Sequence, residues 1–320
     1  MTVAICLLLY AAVVCAAAPR LVPLLTRRGS APAMAVVLWL VVLGTVVAAW
    51  LAAAGTLAVF VARTWDRPDP LALLACMGAL RAAATGANGP VVQVALIGAA
   101  AAVTAVAVAA VVRFGRSLRR SSAGNRSHAQ SARIIGRRVA GVDGVVVDAP
   151  QKLAYCVGGR PGMVVITSAA LDCLDRPHLD AVLAHEQAHL AGRHHLLLAV
   201  TRALASTFPR VRLFAVAQSD VARLLEMCAD DAAAGRHGAA PLLAAIVSLT
   251  GTAPLPAVAL GASSIGVCAR VQRLTNPDTP GRRLAAQLVL GTAIALVAAM
   301  PMLLAWATLT GVTPCGPFTA

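Results

Sequence analysis

His185-Glu186-Gln187-Ala188-His189 places two imidazoles and a carboxylate within five residues, the H-E-x-x-H arrangement that suits metal-assisted hydrolysis of a peptide bond. On a helix, residues four apart lie about 40° round from each other, so His185 and His189 project from one face and can take two corners of a zinc tetrahedron. Glu186 is turned about 100° from His185 and flanks the ion instead of entering its shell. A carboxylate in that place can take a proton from an attacking water and return it to the leaving amine.

A catalytic zinc keeps one position open, so a third protein ligand is needed. The chain has only two glutamates in 320 residues, and the second, Glu226, opens the pentad Glu226-Met227-Cys228-Ala229-Asp230. Glu226 is the candidate third ligand. Asp230, one turn later on the same face, can accept the N–H of a ligating imidazole and fix its tautomer. The rivals for the third position are His194, His195 and His237. His194 and His195 are read as the end of the active-site helix, where a basic residue suits the helix dipole. His237 follows Gly235 in a loop and is read as a surface residue, with stabilisation of an oxyanion as the alternative. Asp231 is expected to be a solvated neighbour of Asp230, and Cys228 to serve packing.

These residues sit in an unusual chain. It is 59% hydrophobic and 12% charged, with a mean hydropathy of +0.79, outside the range of ordinary soluble domains. Uncharged runs reach the length of about 20 residues that a bilayer demands. They cover residues 1–19, 29–62, 90–112 and 284–309, which predicts four transmembrane helices, with Trp39, Trp50 and Trp65 as interfacial anchors. The first run is read as a retained helix and not a cleaved leader, because no basic residue precedes it.

Arginine placement predicts orientation. The stretch before Arg20 and everything after Arg283 lack basic residues, whereas the Arg20–Ser30 loop carries three arginines and the segment after the third helix many more. Both termini are therefore expected outside, with the long Arg113–Arg283 segment in the cytoplasm of a multi-pass plasma-membrane protein. The Arg63–Pro90 loop discriminates weakly.

The net charge of +14 invites a nucleic-acid reading, yet the run from Arg113 to Arg138 follows a membrane helix directly and contains no acid. Positive-inside bias and attraction to anionic headgroups account for it, and no direct nucleic-acid binding is expected. The eight cysteines show no C-x-x-C pairing and read as reduced thiols.

Along the chain, residues 1–112 form a membrane region with three helices, 113–133 a flexible basic linker, 134–283 a cytoplasmic domain carrying both pentads, and 284–320 a fourth helix with a short tail. In the cytoplasmic part, Val142–Asp148 reads as β-structure, and Leu153–Val157 with Met163–Thr167 as strands around a Gly/Pro turn. A helix is expected from Asp175, a second over Val211–Ala234 broken at Gly235 and Gly238, and a third over Pro241–Leu249. Residues 241–262 are uncharged enough to span, but Gly251, Pro254 and Pro256 argue against a fifth crossing.

The chain resembles the integral-membrane zinc metallopeptidases of the BlaR/MecR antirepressor type, relatives of the heat-shock membrane proteases and CAAX prenyl proteases. The resemblance rests on three helices before the catalytic domain and one after, on Met163–Leu171, on HEQAHLAGRHH, on EMCAD and on the late Arg270–Leu274. It implies a mainly α integral membrane protein with an inserted α+β zincin-like (gluzincin) domain and one catalytic zinc. In it His185, His189 and Glu226 would be ligands, Glu186 the base, and Asp230 the partner of His185. It also implies that Met163–Thr167 borders the cleft and receives substrate as an added strand. Relatives often carry Asp where His194 stands. The penicillin-binding sensor domain of antibiotic-responsive members is not expected, because the sequence ends soon after the fourth helix.

These expectations converge on a membrane-embedded endopeptidase acting on a cytosolic regulatory protein, a winged-helix transcriptional repressor by the resemblance. The alternatives are a quality-control protease of membrane proteins and a non-catalytic receptor or scaffold with a retained zinc site. The absence of charge inside the four spans argues against a transporter.

Overall fold

The computed structural model describes residues 2–64, 90–159, 161–249 and 266–309. Trp65, nearly all of the Arg63–Pro90 loop, and residues 250–262 of the fifth stretch lie outside the described residues. The chain divides into two compact units: Met1–Ala18, Leu40–Arg113 and Ala293–Ala320 form one, Pro19–Trp39 and Phe114–Thr292 the other.

The first unit is built from parts of four long helices, α1 (Thr2–Thr26), α2 (Pro32–Thr64), α3 (Pro90–Ile135) and α10 (Pro280–Leu309). All four are long and apolar enough to cross a membrane. Valines 94, 103, 106 and 111 of α3 stay exposed, as side chains facing hydrocarbon would. In α1 the Tyr10 hydroxyl donates to the Val297 carbonyl at 2.9 Å, which satisfies a polar group set among apolar side chains.

The second unit holds a three-stranded sheet, β1 (Val145–Val147), β2 (Ala154–Val157) and β3 (Met163–Thr167), in the order β1-β3-β2. β2 and β3 pair antiparallel around the Gly/Pro turn, and β1 joins β3 in parallel. Central β3 is apolar almost throughout because it is covered on both faces. Val164 and Ile166 point into a core shared with Leu179, Val182 and Leu183, while Val165 packs on Ala129 and Ala132 of α3.

That second contact corrects the reading of residues 113–133 as a flexible linker. Ser117–Ser131 is helical, the continuation of α3. Its arginines at 113, 116, 119, 120, 126 and 133 are exposed, while the opposite face carries Ala129, Ala132 and His128, which bonds the Tyr155 hydroxyl at 2.9 Å. Packing of one face supplies the stability that the Ser/Gly-rich composition lacks.

Helices follow: α4 (Ser168–Cys173), α5 (Arg176–Ala191), α6 (His194–Thr207), α7 (Arg212–His237), α8 (Ala239–Leu249) and α9 (Val267–Thr275). The Asp175 side chain caps α5 by accepting from the His178 N–H, with Pro177 in the first turn. α7 does not break at Gly235, an exposed position where glycine costs only about 1 kcal/mol. It ends at Gly238, whose φ of 84° suits a residue without a Cβ. Ala181 and Ala184 of α5 meet Ala233 of α7 in one buried cluster, so small side chains let these two helices approach. α8, the start of the stretch weighed as a fifth crossing, buries Leu242 in that cluster and Ala245 against the sheet.

The connection between α1 and α2 is part of this unit. Buried Asp220 of α7 accepts from Thr26 Oγ1 at 2.8 Å, from Trp39 Nε1 at 2.7 Å and from Arg223 at 2.6 and 2.9 Å. Trp39 is thus a fully buried donor and not an interfacial anchor. Asp220→Ala is expected to cost about 2–3 kcal/mol, because the indole N–H and the guanidinium lose their acceptor in a dry place. The check is the unfolding temperature of the purified chain in detergent, and an unchanged value contradicts it.

Candidate metal centre

α5 and α7 carry the two pentads, and their close approach brings the pentads together. His185, Glu186 and His189 are all buried on α5, and Glu226 and Asp230, one turn apart, are buried on α7. The Nε2 atoms of His185 and His189 lie 3.2 Å from each other, and 3.6 and 3.5 Å from the carboxylate oxygens of Glu226. Ligands held about 2.0–2.1 Å from a tetrahedral zinc are about 3.3 Å apart. The two nitrogens are close to that spacing, each faces a different oxygen of Glu226, and one ligand atom from each of the three residues falls within 4.8 Å of the others. Glu226 Oε2 is buried and makes no hydrogen bond; the Arg270 guanidinium lies 3.2 Å away, and a metal ion on the other side would complete the oxygen's partners. Two imidazoles and a carboxylate also form the donor set that zinc prefers, so residues and ion fit.

Asp230 is fully buried, with Oδ1 3.1 Å from His185 Nδ1, within ion-pair reach although off the line of an ideal hydrogen bond. Burial opposes a charge on His185, but Asp230 and Glu226 override it and raise its pKa to about 10. Burial dominates at His189 and lowers its pKa to about 3. Glu186 is raised to about 7, chiefly by burial, against the pull of His185 and of the Cys156 backbone N–H, which donates to its carboxylate. A carboxylate poised near neutrality is suited to taking and returning a proton.

Two residues named in the sequence, one as a rival ligand and one only within the family resemblance, take places in this site that the sequence did not assign to them. Arg270 of α9 is 1% exposed and forks onto Asp230, with Nε 2.7 Å from Oδ2 and Nη2 2.6 Å from Oδ1. Its Nη1 reaches Glu226 Oε2 at 3.2 Å. The signal was there: Arg270 falls with Val267, Val271 and Leu274 on the apolar stripe of a short helix, and a guanidinium on such a stripe needs a buried acid. His194 is the second. It does not end the active-site helix, which stops at Ala191, but opens α6, and its Nδ1 lies 2.8 Å from His189 Nδ1.

The other candidates fall elsewhere. His195 is half-buried beside Gly158, and His237 is exposed at the last turn of α7. Asp231 is not simply solvated, since it pairs with Arg273. Arg273 also donates to the Gly29 carbonyl at 3.0 Å, so α9 grips the α1–α2 turn as well as the site. β3 cannot receive a substrate strand, because β1 and β2 occupy both its edges. The strand beside the Glu186 carboxylate is β2, through Cys156.

No solved structure matches the chain. Residues 125–252, which hold both pentads and the sheet, match the family model of Peptidase family M48, whose members are zinc-dependent; the site therefore lies in a domain similar to a zinc metallopeptidase.

Proposed function

We propose that this chain is a membrane-embedded zinc endopeptidase whose cytoplasmic domain cleaves a regulatory protein, a winged-helix transcriptional repressor. The convergence of His185, His189 and Glu226 on one point, with Glu186 beside it, carries the hydrolytic part of this reading. A zinc ion there would supply a Lewis acid that acidifies water and polarises the scissile carbonyl. The chain's own residues do the rest. Glu186 receives the proton of the attacking water and passes it to the leaving amine. Asp230 steadies His185, and Arg270 holds Asp230 in place while offsetting the crowded carboxylates. An extended substrate adds along β2, whose outer edge no other described strand occupies. Arginine placement supports a cytoplasmic catalytic domain with both termini outside.

A quality-control protease acting on damaged membrane proteins is the second reading. It is favoured by the inclusion of Pro19–Trp39, the ends of two candidate spans, in the same compact unit as the catalytic residues. Co-expression with candidate cytosolic repressors separates the two. One repressor cut at one site supports the first, and broad cutting of unfolded membrane proteins supports the second. In membranes from such cells, a strong zinc chelator is expected to stop cleavage and added zinc to restore it. Cleavage that persists in chelator contradicts the metal-dependent reading.

A further inference from the structure

Gly192-Arg193-His194 turns the chain from α5 into α6 more sharply than these residue types favour. Arg193 is left-handed (φ 50°, ψ 37°), the only non-glycine residue with positive φ among the described residues. Such strain persists where the surroundings demand it, and it clusters at functional sites. Gly192 has an ordinary right-handed backbone (φ −74°), so its missing side chain serves space: a Cβ there would run into the His194 ring.

Both features achieve one placement. The His194 ring, 8% exposed, is folded back against His189, with ring centroids 4.8 Å apart and planes at 89°. The two Nδ1 atoms face each other at 2.8 Å, so a single proton lies between them. The Nε2 of His189 faces Glu226 and His185 and must be bare to ligate. The proton of His189 therefore sits on Nδ1, and His194 Nδ1 accepts it.

We infer that His194 is a positioning residue, which fixes the tautomer and ring direction of His189 much as Asp230 does for His185. The inference rests on the metal-site reading. A neutral imidazole suits this pocket better than a fourth carboxylate would, since Glu186, Glu226 and Asp230 already crowd it. Its Nε2–H tautomer supplies the bare Nδ1 lone pair that this role needs.

The test is zinc affinity of the full-length chain in detergent, by competition with a chromogenic chelator. His194→Phe keeps a ring and removes the acceptor; His194→Asn and His194→Asp restore one. Should His194→Phe fail to fold, His194→Met makes the same comparison. The acceptor-free variant is expected to bind zinc about 10- to 100-fold more weakly, a larger loss than the modest fall in metal-free melting temperature that one missing buried hydrogen bond brings. At least one of the Asn and Asp variants should recover most of that loss. Native affinity in the acceptor-free variant, or loss that neither Asn nor Asp recovers, overturns the inference. A native chain that takes up no zinc overturns the metal-site reading itself.

Discussion

Glu186→Gln is expected to bind zinc as the native chain does and to cleave about 10²–10⁴-fold more slowly, with the loss in kcat and not in KM. The amide matches the carboxylate in shape, and its oxygen can still accept the Cys156 N–H. What it cannot do is receive a proton. Glu186 is not among the three converging side chains that could hold the ion, so metal content should not change. Zinc content and turnover measured on one preparation decide the matter. Full activity with bound zinc would leave Glu186 without its role, and lost zinc would make it a structural support of the ligands.

The same substitution has a second consequence, of opposite sign. Burial lifts the Glu186 pKa to about 7 in the fold, above its ordinary carboxylate value, so the folded chain disfavours the charge. That handicap is fully present above pH 7 and disappears as the pH falls through the unfolded value near 4.5. The metal-free Gln variant should therefore melt above the metal-free native chain at pH 8, and the gap should close toward pH 4.5. A catalytic carboxylate held at a cost to stability is the usual exchange at active sites.

Why were the candidate ligands legible and their supports not? His185 and His189 are fixed by helical spacing alone, and so are Glu226 and Asp230; rarity of glutamate then linked the two pairs. The hairpin of β2 and β3 was equally local, bracketed by its Gly/Pro turn. The parallel addition of β1 was not local, and it moved the open edge from β3 to β2. His194 looked like a helix end because nothing in arginine announces a left-handed turn at 193. Residues 117–131 looked flexible because composition does not reveal a sheet waiting on the far side. In each case a tertiary contact outweighed a local preference.

Arg270 is the clearest such contact, and Arg270→Gln tests how far the site depends on it. The guanidinium is buried against Asp230 and Glu226, with Glu186 adding to the same field. Removing it leaves carboxylates in a dry pocket with His185 as the remaining partner of Asp230. Breaking a buried pair in this way costs about 3–5 kcal/mol, so the metal-free variant should melt far below the metal-free native chain. Zinc brings two positive charges to the same carboxylates and should return part of that loss. The zinc-induced rise in melting temperature is therefore expected to be larger in Arg270→Gln than in the native chain. Turnover should still fall about 10- to 100-fold at saturating zinc, because Asp230 no longer has the fork that aims it at His185. Arg270→Lys should rescue little, since an ammonium cannot grip both Asp230 oxygens and reach Glu226 from one plane. Equal zinc-induced shifts in variant and native chains would mean that the ion and the guanidinium do not share their carboxylates. Arg270 would then support the fold alone.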